Sequence, residues 1–166
     1  MGAVSATADV VVALFSLIMA VAAPLFDSQV VLPRDLYPAP LVDIHRWFAV
    51  AFGHYLVAYP PPFFLGLVWL DLALLWPVCV ANLYGILARR RWSATTSLMA
   101  GVYMLTYLSA ILGDMLGSGK ATLRLLQLYV PFIVVAVIAV LRGLCSWSAP
   151  LAAATSVASS AQKKKA

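Results

Sequence analysis

The chain has 166 residues, of which 64% are hydrophobic and only 10% charged, and its mean hydropathy is +0.97. A water-soluble domain of this size could not cover its apolar surface with so few charges, so composition excludes one and requires an integral membrane protein. The net charge of +5 marks no nucleic-acid face, because seven of the eleven basic residues (Arg89, Arg90, Arg91, Arg142, Lys163, Lys164, Lys165) flank apolar runs or end the chain, as topology signals do.

The first apolar run is broken only by Pro24, and it predicts a membrane span over residues 8–26 with Asp27 at its exit. A signal peptide is the competing reading, since Ala20-Val21-Ala22 resembles a cleavage site. The segment ahead of it, however, lacks Lys and Arg and contains Asp9. In the connection that follows, Pro33, Pro38 and Pro40 oppose a continuous helix. Residues 41–55 then show helical spacing, with Leu41, Ile44, Phe48, Phe52 and Tyr55 on one side and Asp43, Arg46 and His54 on another. With Trp47 this predicts a short helix at the membrane interface. Pro60, Pro61 and Pro62 close it and start the second span.

Residues 63–87 are apolar apart from one charge, Asp71. A carboxylate inside hydrocarbon costs a few kcal/mol, so Asp71 is the first candidate for a functional group. At about 100° per residue, Asp71, Leu75, Val78 and Asn82 share a face. Gly66, Ala73, Pro77, Ala81 and Gly85 line another, whose small residues invite close approach of a second helix. The arginine triplet ends this span. The third covers residues 93–116, with Tyr103, Thr106, Tyr107, Ala110 and Asp114 in one polar and aromatic stripe. After the turn Gly117-Ser118-Gly119, the fourth covers residues 123–144 and contains Gln127, Tyr129 and Pro131. From Ser146 the composition turns to Ala and Ser and then KKKA, which predicts a disordered tail over residues 146–166.

The expected fold is therefore an all-α membrane protein, a four-transmembrane-helix bundle with a short interfacial helix in its first loop. Seven basic residues fall on one side and four (Arg34, Arg46, Lys120, Arg124) on the other, which puts both termini in the cytosol and Asp27, Asp71 and Asp114 toward the lumen. Lysines three and four positions from the end, Lys164 and Lys163, resemble the dilysine retrieval signal of endoplasmic-reticulum membrane proteins; a generic basic tail is the alternative.

Two acids sharing a low-dielectric site rarely both ionise. If Asp27 and Asp71 meet, the site suits a protonated amine, with Trp69, Tyr103, Tyr107 or Tyr129 offering aromatic faces to the cation. The same pair could serve as general acid and base, or Asp71 could simply bond a neighbouring helix. His45 and His54 have no cysteine nearby, Cys79 and Cys145 read as small buried residues, and no phosphate loop or nucleophile set is present. Neither a metal nor a cofactor is expected.

The stretch FDSQVVLPRDLY over residues 26–37, with Pro38 after it, resembles the first lumenal loop of the sigma-2 receptor family. The resemblance runs over residues 10–145 through Trp47-Phe48-Ala49, Phe52, Pro60-Pro61, Phe64, the Asp71-Leu72 pair with Pro77, and Tyr129-Val130-Pro131-Phe132. It implies an EXPERA-like domain over residues 8–145, grouped with the emopamil-binding sterol isomerases. It further implies four transmembrane helices, homodimers, residence in the endoplasmic reticulum, sterol handling, and a buried pocket for cationic amphiphiles and oxysterols. By position Asp27 would meet a ligand amine, Asp71 would be its deeper acidic partner where vertebrate members have Glu, and Tyr129 would line the cavity. Tyr103 and Thr106, from the polar stripe, complete the expected ligand-binding set. Three departures stand out: His54 replaces a family acid, the loop between spans three and four is shorter, and Phe132 replaces a Tyr.

Three functions are consistent with this reading. The first is a sterol-binding regulator without catalysis, whose partners are sterol or oxysterol, cationic amphiphiles and membrane lipid, with no nucleic acid. The second is a sterol Δ8-Δ7 isomerase of the emopamil-binding type. The third is a trafficking partner acting through the first lumenal loop.

Overall fold

Proline and glycine mark most of the breaks between helices, and between Leu87 and Ser93 the chain turns at Arg89, φ +51. The computed structural model describes residues 3–163, with side chains for residues 6–145. Helix α1 (Ala3–Leu25) leads through two 3-10 turns, Asp27–Val30 and Arg34–Leu36, to α2 (Ala39–Ala51) and the single-turn α3 (Tyr55–Ala58). The second span is α4 (Pro62–Leu70), a π-turn (Asp71–Leu75) and α5 (Trp76–Leu87) without interruption, followed by α6 (Ser93–Gly117) and α7 (Leu123–Lys163). Four segments are long and apolar enough to cross a membrane: Ala6–Val30, Pro62–Leu87, Ser93–Gly117 and Leu123–Cys145. The chain is an all-α, multi-pass membrane protein with no strand among the described residues. The backbone of α7 continues helical to Lys163, past the expected end of the fourth span near Leu144. Of the KKKA segment, Lys164 and the residues after it lie outside the described residues.

Two prolines shape the packing of the first two spans. Pro24 has no N–H for the carbonyl of Ala20, and the Trp76 indole N–H of the second span donates to that carbonyl at 3.0 Å. Pro77 likewise cannot donate, and its ring crowds the carbonyl four residues before it. The helix widens ahead of it into the π-turn, where the Trp76 N–H bonds Asp71 O.

Between membrane helices there is no hydrophobic drive, so close van der Waals packing and polar bonds hold the bundle. A Cβ on Gly101 would lie 2.7 Å from the Ala136 carbonyl oxygen, and one on Gly143 would lie 2.8 Å from that of Ala94. These glycines let α6 and α7 approach closely. The small-residue face expected on the second span is mostly open: nothing lies within 4 Å of a Cβ at Gly66, and only Gly85, against Trp92 and Ser93, is crowded.

The end of the bundle around Asp9 and Arg142 is joined by a polar network. Arg142 Nε donates to Asp9 Oδ1 at 2.6 Å and its Nη1 to Ser97 Oγ at 2.8 Å. Ser97 and Thr96 hydroxyls donate to Asn82 Oδ1, each at 2.8 Å, and Asn82 Nδ2 donates to Ser16 Oγ at 3.0 Å. Each of the four spans contributes at least one group.

Two local expectations are corrected. The interfacial helix stops at Ala51, because Gly53 adopts φ +62 and the His54 N–H bonds Ala49 O at 2.8 Å, a left-handed helix cap. Tyr55 therefore belongs to α3. Cys79 is buried as expected, but Cys145 is exposed.

Candidate functional site

At the opposite end from the network, α2 and α3 cap the bundle and border a half-open cavity of about 260 Å³. Phe26, Phe48, Phe64, Val68, Leu108 and Phe132 supply apolar wall, and Asp27, His45, His54, Asp71, Tyr107 and Tyr129 supply the polar groups. The cap is tied down at its rim. The Tyr55 hydroxyl donates to Asp114 Oδ2 at 2.5 Å, Lys120 Nζ sits 4.7 Å from the Tyr55 ring centroid, and Arg124 Nη1 donates to Ala51 O at 3.1 Å.

Asp71 is the deepest acid, 2% exposed, and its Oδ1 has no hydrogen-bond partner among the described residues. It opens the π-turn, where the helix is wider. The hydroxyls of Tyr103 and Tyr107 stand beside its carboxyl, and their rings stack at 6.2 Å. Asp27, in the first turn after α1, lies within electrostatic reach of Asp71 across the cavity. Two carboxyls from two spans thus face one largely apolar space.

His54 joins them because the Gly53 cap turns the chain back into the bundle; its side chain is 2% exposed. Its Nδ1 accepts the Val57 N–H at 3.3 Å and caps α3. The ring proton therefore sits on Nε2, which donates to the Tyr129 hydroxyl oxygen. That leaves the Tyr129 hydrogen free for a group in the cavity. Burial pushes the His54 imidazole down to about 4, so it is neutral near pH 7.

His45 also lines the cavity, 2% exposed, its ring edge-on to Phe26 at 4.8 Å. Burial first, and nearby Arg34 second, hold its imidazole below the usual range.

Of the ligand set expected from sequence, the structure brings Asp27, Asp71 and Tyr129 to one cavity. Tyr103 stands behind the wall, its hydroxyl 3.4 Å from the Leu67 carbonyl and its ring in a groove on the outer face of the bundle. Thr106 is away from the cavity: its side chain is exposed and its hydroxyl donates back to Val102 O at 3.0 Å. Asp114 serves the rim rather than the interior. Sequence reasoning missed His45 as a cavity group and left His54 between the pocket entrance and water. The one available signal was His54 standing where the family resemblance has an acid. Among the described residues no cluster of His, Cys, Asp or Glu is arranged to hold a metal.

Residues 40–143, which carry every polar cavity group except Asp27, match the family described as EXPERA (EXPanded EBP superfamily). The chain belongs to the EXPERA family. It is 30% identical over 135 residues to sigma intracellular receptor 2 of Xenopus tropicalis, a match covering 74% of this chain and 79% of the frog protein. It is 31% identical over 91 residues to the proteins of the same name from Macaca fascicularis and Homo sapiens, covering 54% of this chain and 52% of each. This EXPERA chain is thus a membrane protein similar to proteins named as receptors. Its cavity pairs a histidine with a tyrosine beside two carboxyls.

Proposed function

We propose that the chain is an endoplasmic-reticulum membrane protein that binds sterols, oxysterols or cationic amphiphiles in this cavity and regulates sterol homeostasis, without catalysis. The observation that carries the reading is the pairing of Asp27 and Asp71 in an apolar chamber, with Asp71 Oδ1 left without a partner for a ligand to take up. An unpaired buried polar atom costs about 1–3 kcal/mol, and a ligand that bonds it recovers that cost. Relatives named as receptors support binding over turnover.

In this reading both termini are cytosolic, the cap is lumenal, and Lys163 and Lys164 form the retrieval signal. The protein works as a homodimer. The small-residue face around Gly66 and Ala73, open on this chain, offers a second copy a close approach.

A second reading, a Δ8-Δ7 sterol isomerase, is favoured by one observation. An imidazole–phenol pair and two carboxyls share the cavity, which is an acid–base inventory. One purified sample given a Δ8-sterol and oxysterols separates the two. Saturable binding without product supports the receptor. An isomerised product, lost in Asp71→Asn, replaces it with the enzyme.

A further inference from the structure

Three buried side-chain atoms lack a hydrogen-bond partner among the described residues: Gln29 Oε1, Asp71 Oδ1 and His45 Nε2. Two of the three residues line the cavity, Asp71 and His45. Their neighbours at the capped end do find partners: Ser28 with Tyr37 at 2.5 Å, Tyr55 with Asp114, His54 with Tyr129. An unmatched nitrogen on a residue of the cavity wall is a cost the cap does not relieve internally.

We propose that His45 is a second polar anchor of the cavity, whose free imidazole nitrogen takes a neutral hydrogen-bonding group, a hydroxyl or carbonyl, of a molecule whose other polar group meets Asp27 and Asp71. The inference rests on the binding reading given above and deepens it: the ligand carries two polar groups, not one. The groups they meet sit on different elements. His45 belongs to α2 in the cap, its ring 4.8 Å from Phe26, whereas Asp71 opens the π-turn inside the second span. The chemistry of the second group follows from His45 itself. With burial and Arg34 both opposing protonation, the ring is a neutral donor or acceptor and offers an anion no charge to pair with.

A purely structural role accounts for less. The edge-on contact with Phe26 needs a flat ring, not a nitrogen, so a phenylalanine would serve it equally. That difference provides the test. The wild-type protein in lipid nanodiscs is given a monohydroxy sterol and the same sterol carrying a second hydroxyl on its side chain, and both affinities are measured by competition. Wild type is expected to prefer the dihydroxy sterol by about tenfold, the effect of one hydrogen bond formed by an otherwise unpaired buried group. His45→Phe equalises the two sterols. His45→Gln, which keeps a hydrogen-bonding group and so controls for misfolding, retains part of the preference. Equal affinities in wild type, or an undiminished preference in His45→Phe, overturn the anchor alone. Binding of neither sterol overturns the anchor together with the sterol-binding reading on which it rests.

Discussion

His54 and Tyr129, seventy-five positions apart in the chain, are joined by a hydrogen bond inside the cavity. The bond links the cap to the fourth span and fixes the phenol so that its own hydrogen is available to a guest. It also gives the cavity a neutral donor pair where the family resemblance has an acid.

Replacing Tyr129 by Phe leaves the His54 Nε2–H without its acceptor. We expect a loss of about 1–3 kcal/mol in stability, read as a lower midpoint in thermal unfolding. Removing both partners, His54→Phe with Tyr129→Phe, recovers part of that loss. If the double variant is as unstable as the two single losses added together, the bond contributes nothing.

The depressed His54 imidazole makes stability depend on pH. The folded state holds the proton only below about 4, whereas the unfolded state takes it up near 6.5. The unfolded chain therefore binds more protons between these values, and stability falls as pH drops from about 6.5 toward 4. Above 6.5 the contribution is fully present. The expected loss is on the order of 3 kcal/mol across the window. Unfolding midpoints at pH 7.5 and 4 measure it, and the dependence flattens in His54→Gln.

Asp27→Asn removes a charge that a bound amine requires. Affinity for a cationic amphiphile should fall by at least about a hundredfold, as truncating one partner of a buried charge pair typically costs 2–5 kcal/mol. The unfolding midpoint should stay close to wild type. Unchanged radioligand affinity would remove Asp27 from the site.

Arg142→Met breaks the network at the far end of the bundle. Asp9 keeps 29% of its side-chain surface exposed, so the loss is expected near about 2 kcal/mol rather than the roughly 3–5 of a fully buried pair. Asp9→Asn in the same chain restores part of it. Ligand affinity is untouched, since none of these groups lines the cavity; an affinity change of tenfold would show that the two ends are coupled.

Changing Lys163 and Lys164 to Ser should release a tagged protein from the endoplasmic reticulum to later compartments, followed by microscopy and glycan maturation of a reporter. Retention would mean that the tail is not the address.

The spans were legible because charge and proline mark their ends: the arginine triplet follows Leu87, Pro62 starts α4, and the turn at Gly119 precedes Leu123. The acids were legible because a charge in hydrocarbon stands out. The histidines were not. A continuous wheel over residues 41–55 put His54 on the polar side, but the Gly53 cap reverses the chain there. In α2 the buried face is Val42 and His45, leaving Ile44 54% exposed. Thr106 failed for a simpler reason: it sits about 100° from its neighbour Tyr107, so when Tyr107 faces the cavity Thr106 faces out. On the second span, regular spacing predicted Val78 beneath Leu75, whereas the structure buries Cys79 beyond the π-turn.

That widened turn behaves like the key on a shaft. Asp71 and Asn82 ride on one continuous rod, and each must meet a different set of partners at a different end of the bundle. The extra residue in Asp71–Leu75 sets the angle between them. Remove one residue there and a regular helix would rotate one group by about 100° against the other. The rod could then engage the cavity or the network, not both. A bulge that looks like a local irregularity is therefore what synchronises the two ends of the protein.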